Sequence, residues 1–364
     1  MPSSTMRVSR STVARASTAP GGLHGVVRDN APFAVSVVAY LAIGIPVLAS
    51  LDRSVTIPLL DAYRIPVLVT ILYLCVTLLA TITHVVFVGR RPPFTAATWR
   101  AVGRAWLPPD RLVGTLIVLL LLPPFLAVML GFRTAITSFQ PFHWDIRLMQ
   151  LDAWLHGGRQ PWELLQPILG HPAVTRLLDA FYVYGWFAML WIGLAWQTVH
   201  GREPIRSQFL LAFLLAWVVL GTVGAIVFSS AGPVYFGSVT STSDPYAPLM
   251  SYLASVDAET PLRALAVQKR LWAEYTNWGG VTAMPSMHLA QTTVVLLAAV
   301  QSDRRLGWLM APALGLILLG SIHLGWHYAV DSYAGILGAG LMWVLAGRAV
   351  VWWRKRTDPM ARAS

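Results

Sequence analysis

Charge is what this chain has least of. Only 12% of its 364 residues are Asp, Glu, Lys or Arg. That is too few to solvate a globular surface of this size, which excludes an ordinary soluble fold. Acidic residues are the scarcer kind, 16 against 27 Lys and Arg, and the net charge of +11 is carried almost wholly by Arg. In a soluble protein such a balance would point to nucleic acid. In a chain that is 56% hydrophobic it points to orientation in a membrane and contact with anionic lipid, with no nucleic-acid partner. Cysteine is nearly absent. Cys75 stands alone inside an apolar block, which excludes an intrachain disulfide framework and a Cys-based metal site. No internal repeat and no soluble domain stands out.

What is there instead is apolar length. A helix needs ~20 residues to cross a bilayer, and eight stretches qualify, at roughly 32–50, 67–88, 112–132, 174–198, 208–230, 285–301, 306–325 and 330–352. The expected fold is all-α: a polytopic integral membrane protein of about eight transmembrane helices. Pro46, Pro123, Pro124 and Gly221 interrupt some of these stretches, as spanning helices allow when neighbours re-satisfy the freed backbone groups. The 16 Trp suit interfacial anchors.

The expected organisation has four parts. Residues 1–31 are basic and rich in Ser, Ala and Gly, and read as a disordered cytoplasmic tail. A cleaved leader is the rival reading, against which the length of the polar lead counts. Residues 32–111 hold two extra helices and a basic inner loop. Residues 112–352 form a six-helix core with two long outer loops, 133–173 and 231–284. Residues 353–364 are a basic cytoplasmic tail.

With the N-terminus inside, the inner segments carry eighteen of the 27 Lys and Arg residues although they are the shorter ones, and Arg354, Lys355 and Arg356 return to the inside. The positive-inside rule is met at every short loop. Both termini are then cytoplasmic. His288, His327 and Asp331 lie on the extracytoplasmic side, and a bacterial plasma membrane is the expected location. In the outer loops, Phe142–Asp145 and Leu151–Leu155 read as amphipathic helices in the interface. Loops this long are usually functional or disordered, and the aromatic content of 231–284 argues for a structured lid.

The chemistry gathers at two places. Gly279-Gly280-Val281-Thr282-Ala283-Met284-Pro285-Ser286-Met287-His288 opens the sixth span. Pro285 suits a first helical position, and the free N–H groups of that turn favour an anion. Ser286 and Thr282 add hydroxyls, and His288 an imidazole. The plain alternative is an ordinary helix start with a chance histidine. The second place is Ser321–Asp331, where His327 and Asp331 stand four apart and would face one way on a helix. A carboxylate on one imidazole nitrogen fixes the tautomer and frees the other as nucleophile or base. The plain alternative is a neutral core histidine, but ionisable groups inside a membrane are expensive and usually functional. Together the three residues can transfer a phosphoryl group: one histidine attacks phosphorus, the aspartate orients it, and the other protonates the leaving alkoxide. No cofactor or metal is needed. The rival is a metal site on His323, His327 and Asp331, spaced i, i+4, i+8, in a metal-binding or transport protein.

At these residues the chain resembles the type 2 phosphatidic acid phosphatase superfamily. Pro285-Ser286-Met287-His288 matches that family's Pro-Ser-Gly-His motif with Met287 in place of Gly, and His327 and Asp331 match the end of its third motif. The resemblance covers about 112–352. Three cations depart: Ala225 stands where Lys belongs, Gly232 before Pro233 where Arg belongs, and Ser321 where the third motif has Arg. This pattern looks like the inositol phosphorylceramide synthase and sphingomyelin synthase branch. The resemblance implies a lipid phosphotransferase, inositolphosphotransferase-like, with membrane lipids as donor and acceptor. His327 would be the nucleophile, His288 the acid and Asp331 the orienter. A lipid phosphate phosphatase is the alternative. Tyr235, Lys269, Arg270, Arg263 and Arg176 are candidates for the phosphate cradle, and Asp179 for pairing with Arg176 or touching a hydroxylated acceptor. Tyr235, Phe236, Trp272 and Trp278 would cover the site.

Overall fold

A computed structural model describes residues 23–51, 59–106, 109–274 and 282–357. Trp278 and the Gly279–Val281 lead-in lie outside the described residues, as do 1–22 and 358–364. All regular structure among the described residues is helical, as the patterning requires: a backbone in hydrocarbon must satisfy its own hydrogen bonds. The long helices are α1 (Leu23–Ser50), α2 (Leu59–Thr83), a short α3 (Ala96–Trp106), α4 (Pro109–Phe139) and, after two short helices α5 (Asp145–Leu155) and α6 (Pro161–Leu169), α7 (Pro172–Ala180) running through a π-turn into α8 (Trp186–His200). Next come α9 (Ile205–Leu215), a π-helical stretch and α10 (Ala225–Val227), the short α11 (Phe236–Val239), α12 (Ala247–Glu259), α13 (Arg263–Glu274), α14 (Met287–Ser302), α15 (Arg304–His323) and α16 (Ala329–Thr357).

Seven of these segments are long and apolar enough to cross a bilayer, one fewer than expected. The difference is α14, which has 16 residues. It packs against α8, α9, α15 and α16, so it lies in the middle of the bundle, away from the lipid-facing perimeter. Its start is also later than expected. Pro285 precedes the helix, and Ser286 is its N-cap. Leu23–Ala31, expected in the N-terminal tail, belong to α1; the rest of that expectation lies outside the described residues.

The first two helices are built into the core. Helix α1 packs on α4, α9 and α16, and α2 on α4 and α8. At the α1–α4 crossing Gly44 meets Val128 and Phe132, and Gly131 meets Leu48. Small residues there let two spanning helices approach closely. At one end of the bundle the buried Arg206 donates to Asn30 Oδ1 at 3.0 Å and Thr198 O at 3.0 Å, while Arg354 reaches Glu203 at 2.8 Å and Asp29 at 3.1 Å. This network ties α1, the 201–204 turn and the end of α16 together. The histidines lie at the opposite end.

Among the described residues, the two long loops at the histidine end carry the short helices α5, α6 and α11 to α13. The first begins at Gln140, because α4 continues to Phe139. Helix α5 is buried on its Asp145, Leu148 and Asp152 face and exposes Trp154. A stripe in which the carboxylates point inward differs from an amphipathic interface helix. The carboxylates are engaged in the protein, as the site makes clear.

Candidate active site

Three backbone segments converge at the histidine end: 229–235 after α10, 282–286 before α14, and 324–328 between α15 and α16. Ser230 joins the first two, its carbonyl accepting from Ala283 N at 3.0 Å and its Oγ from Met284 N at 3.2 Å. Val234 N donates to Gly325 O at 3.0 Å, and Ser286 N to Asp331 O at 3.0 Å. The segments touch so closely that two glycines are required. Gly232 has φ +96°, and a Cβ there would lie 2.9 Å from Trp326 O and 3.1 Å from Ala283 Cβ. Gly335 on α16 faces the Ser286 carbonyl, leaving no room for a side chain.

Helix α5 braces these loops with two carboxylates, seven residues apart and therefore on one face. Asp145 accepts from Ala231 N and Gly232 N, at 3.0 and 2.9 Å, and from Tyr328 Oη at 2.8 Å. Asp152 accepts from Ala329 N at 2.8 Å and Val330 N at 2.9 Å, the free donors of α16's first turn. Burial raises the pKa of both carboxyls, that of Asp152 to about 6, against the opposing pull of these backbone bonds.

His327 does not share a helix with Asp331 along its length, as the four-residue spacing suggested. It lies in the loop, and Asp331 belongs to the first turn of α16. The imidazole Nδ1 is 2.8 Å from Ala283 O and 3.6 Å from Asp331 Oδ2. A carbonyl only accepts, so Nδ1 carries the proton, and Nε2 has the free lone pair. The Ala283 carbonyl fixes the tautomer, with the carboxylate just beyond hydrogen-bond reach. Asp331 Oδ2 accepts instead from Tyr328 N at 3.0 Å. Burial holds His327 down to about 4, partly opposed by the Ala283 bond, and the Arg133 charge depresses it further. His327 is therefore neutral at neutral pH.

His288 sits in the first turn of α14, its ring centroid 5.8 Å from that of His327. Tyr182 stacks on it at 4.5 Å and 20°, Trp186 lies at 4.3 Å, and Trp326 meets it edge-on at 5.5 Å. Tyr182 comes from the π-turn Phe181–Gly185, an irregularity often found at functional sites. Trp186 Nε1 also donates to His288 O at 3.1 Å. Burial inside this aromatic cage, with His327 and the Arg133 charge nearby, favours the neutral imidazole over the imidazolium.

Around the two histidines, Thr282 Oγ1, Ser286 Oγ, His327 Nε2 and Asp331 Oδ1 are buried with no partner among the described residues. Orphaned buried polar atoms are rare and costly. Four of them beside two histidines are a site made for a polar ligand. The structure thus brings together His288, His327, Asp331, Ser286 and Thr282.

It turns the other candidates elsewhere. Arg176 pairs with Glu259 at 2.7 Å and Lys269 with Asp257 at 3.0 Å, both at the surface. Arg263 donates to Tyr184 Oη at 3.1 Å and Pro261 O at 3.2 Å. Arg270 is exposed on α13. Asp179 neither pairs with Arg176 nor faces the site. It caps α13, accepting from Arg263 N at 2.9 Å and Ala264 N at 2.7 Å. Tyr235 lies beside the site, but its hydroxyl is committed to Gln268 O at 2.6 Å and its ring stacks on Trp272 at 4.2 Å. Phe236 is wholly buried against Tyr246, so it serves the core and not the cover.

The metal reading loses its premise. Helix α15 ends at His323, whose Nε2 is 2.9 Å from Thr175 Oγ1, so it is not on one face with His327 and Asp331. No group of three His, Cys, Asp or Glu among the described residues is arranged to hold a metal. The three positions that depart from the motif cations are closed as well. Ala225 is buried, Gly232 has no room for a side chain, and Ser321 Oγ is 3.1 Å from Ser332 Oγ and donates to Leu318 O at 2.7 Å.

One charge was missed. Arg133, half-buried near the end of α4, acts electrostatically on His288, His327 and Tyr235. The available signal was an arginine within a spanning helix, hidden because the third span was ended at 132. A family model described as the PAP2 superfamily matches residues 146–345, more than half of the chain, and the match leaves α4 outside. No curated protein and no solved structure matches the chain.

Proposed function

Because the chain belongs to the PAP2 superfamily, we propose that its lipid phosphatase or phosphotransferase chemistry is that of a head-group transferase, inositolphosphotransferase-like, working through a phosphohistidine on His327. The carrying observation is the unpartnered Nε2 of His327, oriented by Ala283 O and set beside a caged His288. Nε2 attacks phosphorus and the P–O bond to the leaving group breaks. His288, protonated beside the anionic phosphate, gives its proton to the departing alkoxide. Charge that develops on the phosphorylated imidazole is offset by Asp331. An acceptor hydroxyl then attacks the phosphohistidine, passing its proton to His288. All groups in this scheme are side chains, so neither metal nor cofactor takes part.

Transfer is preferred to hydrolysis because the motif cations at Ala225, Gly232 and Ser321 have no replacement at those positions. Cations stabilise charge on the phosphoryl oxygens, and a monoester dianion needs that help more than a diester monoanion. The stacked Tyr235 and Trp272 supply apolar cover beside the site. We place the protein in a bacterial plasma membrane with the site extracytoplasmic. The Arg206–Arg354 network at the opposite end agrees with basic residues lying inside.

The test is incubation of purified protein with a phosphodiester lipid, with and without an alcohol acceptor. Release of diacylglycerol that depends on the acceptor is expected, with little free phosphate from phosphatidic acid. Rapid phosphate release from phosphatidic acid, with no product from any diester, would return the protein to the phosphatases.

A further inference from the structure

We infer that Asp152 on α5 is a positioning residue for the reaction: it caps, from a distant part of the chain, the helix that begins at the catalytic turn, and so sets how Asp331 is aimed. This deepens the phosphohistidine reading and rests on it. Three residues separate His327 from Asp331, and α5 holds all three. Tyr328 Oη donates to Asp145 Oδ1 at 2.8 Å, Ala329 N to Asp152 Oδ2 at 2.8 Å, and Val330 N to Asp152 Oδ1 at 2.9 Å. Both oxygens of the buried Asp152 carboxylate are thereby engaged.

The turn has no cap of its own. The residue before α16 is Tyr328, and tyrosine lacks the short side-chain oxygen with which Ser, Thr, Asp or Asn accepts from the first helical N–H groups. Asp331 reaches back to Tyr328 N at 3.0 Å, which leaves Ala329 N and Val330 N to α5. A second tie reinforces the first. His156 Nδ1 donates to Asp152 O at 2.7 Å, and its Nε2 accepts from Tyr333 Oη at 3.1 Å. Helix α5 thus grips α16 at Ala329–Val330 and again at Tyr333. The two ends of the turn are anchored differently. The His327 ring is held from another segment by Ala283 O. Asp331 is held there by its backbone, its carbonyl accepting from Ser286 N at 3.0 Å. Slack at Ala329 and Val330 therefore leaves His327 in place and re-aims the Asp331 carboxylate, whose effect on an imidazole 3.6 Å away falls with distance.

The test is a double-mutant cycle on the full chain in nanodiscs, read by single-turnover phosphoenzyme formation from a phosphodiester lipid. Asp152→Asn keeps the side chain's size but turns an amide N–H towards one of the two donors. It should slow phosphoenzyme formation ~10–100-fold, as a misplacement of about 1 Å does. The donor KM should stay as in wild type, because both Asp152 oxygens are engaged by backbone N–H groups. In an Asp331→Asn background the same change should cost less than about threefold, since a residue acting through Asp331 has no carboxylate left to aim. Asp179→Asn is the control. It removes a like pair of bonds at the start of α13, a helix that carries neither histidine nor Asp331, and should stay within about threefold of wild type. Losses that multiply in the cycle, or equal slowing by Asp179→Asn, overturn the inference, for Asp152 would then serve folding alone. If Asp152→Asn does not fold, the cycle is run with Asp152→Glu, which keeps the charge and both acceptor oxygens. If neither folds, the role is structural and the inference falls. His327→Gln separates the two claims. If it abolishes a phosphoenzyme that wild type forms while the Asp152 cycle multiplies, the inference alone fails. If wild type forms no phosphoenzyme, the phosphohistidine reading fails and takes this role of Asp152 with it.

Discussion

Replacing Asp331 by Asn tests what orients the nucleophile. The sequence motif makes the carboxylate the tautomer-fixing partner, and loss of that role costs about four orders of magnitude in other His–Asp pairs. The geometry assigns that role to Ala283 O, 2.8 Å from Nδ1, with Asp331 Oδ2 at 3.6 Å. What Asp331 contributes is charge. Opposite charges 3.6 Å apart interact by about 4–5 kcal/mol at an effective dielectric constant of 20. That sets an upper bound of about three decades in rate. Asn keeps the acceptor for Tyr328 N and retains a dipole, so the expected fall in phosphoenzyme formation is ~100- to 1,000-fold. Single-turnover quench measurements read that step directly. The acid limb of the pH–rate profile should keep its form, because the Nδ1–H tautomer survives. A folded Asp331→Asn protein within threefold of wild type would refute the electrostatic role. A loss well beyond a thousandfold would show that the carboxylate, and not Ala283, fixes the tautomer.

Three further outcomes are expected. With His327 held to about 4 by burial, its nucleophilic neutral form persists well below the usual imidazole range, so kcat/KM should fall on its account near pH 4 and not near 6.5; a limb at 6.5 assigned to His327 would contradict its burial. Asp152, raised by burial from 3.8 to about 6, binds its proton more tightly folded than unfolded. From this group alone stability is greatest below 3.8 and declines as pH rises to about 6, by about 3 kcal/mol. The difference between wild type and Asp152→Asn, from denaturant unfolding, should therefore move in wild type's favour from pH 7 to pH 4, and a difference flat in pH would contradict the buried carboxylate. For sidedness, the exposed Ser241 in the loop between α11 and α12 is the probe position. Ser241→Cys, in a background lacking Cys75, should react with an impermeant thiol reagent from outside; labelling only after the membrane is opened would invert the orientation.

The sequence by itself determined the class of fold and singled out five residues that the structure brings together. Low charge and ~20-residue apolar blocks leave only helices as a way to cross hydrocarbon. Histidines and an aspartate at the ends of such blocks are too costly to be incidental, and His288, His327, Asp331, Ser286 and Thr282 do come together. Periodicity could not say which partner each side chain meets. The i, i+4 spacing suggested one helical face, but a loop intervenes, so a distant carbonyl at Ala283 orients His327 and His323 goes to Thr175. Likewise the carboxylates of Asp145, Asp152 and Asp179 read as surface or substrate groups. Folding buries each one on backbone N–H groups of a loop or a helix start far along the chain. Charge counting favoured Lys269, Arg263 and Arg176, which find acidic or tyrosyl partners at the surface. Arg133 went unseen because the third span was ended one residue before it. Local pattern fixes which residues are expensive to bury, whereas long-range packing decides what each buried group is aimed at.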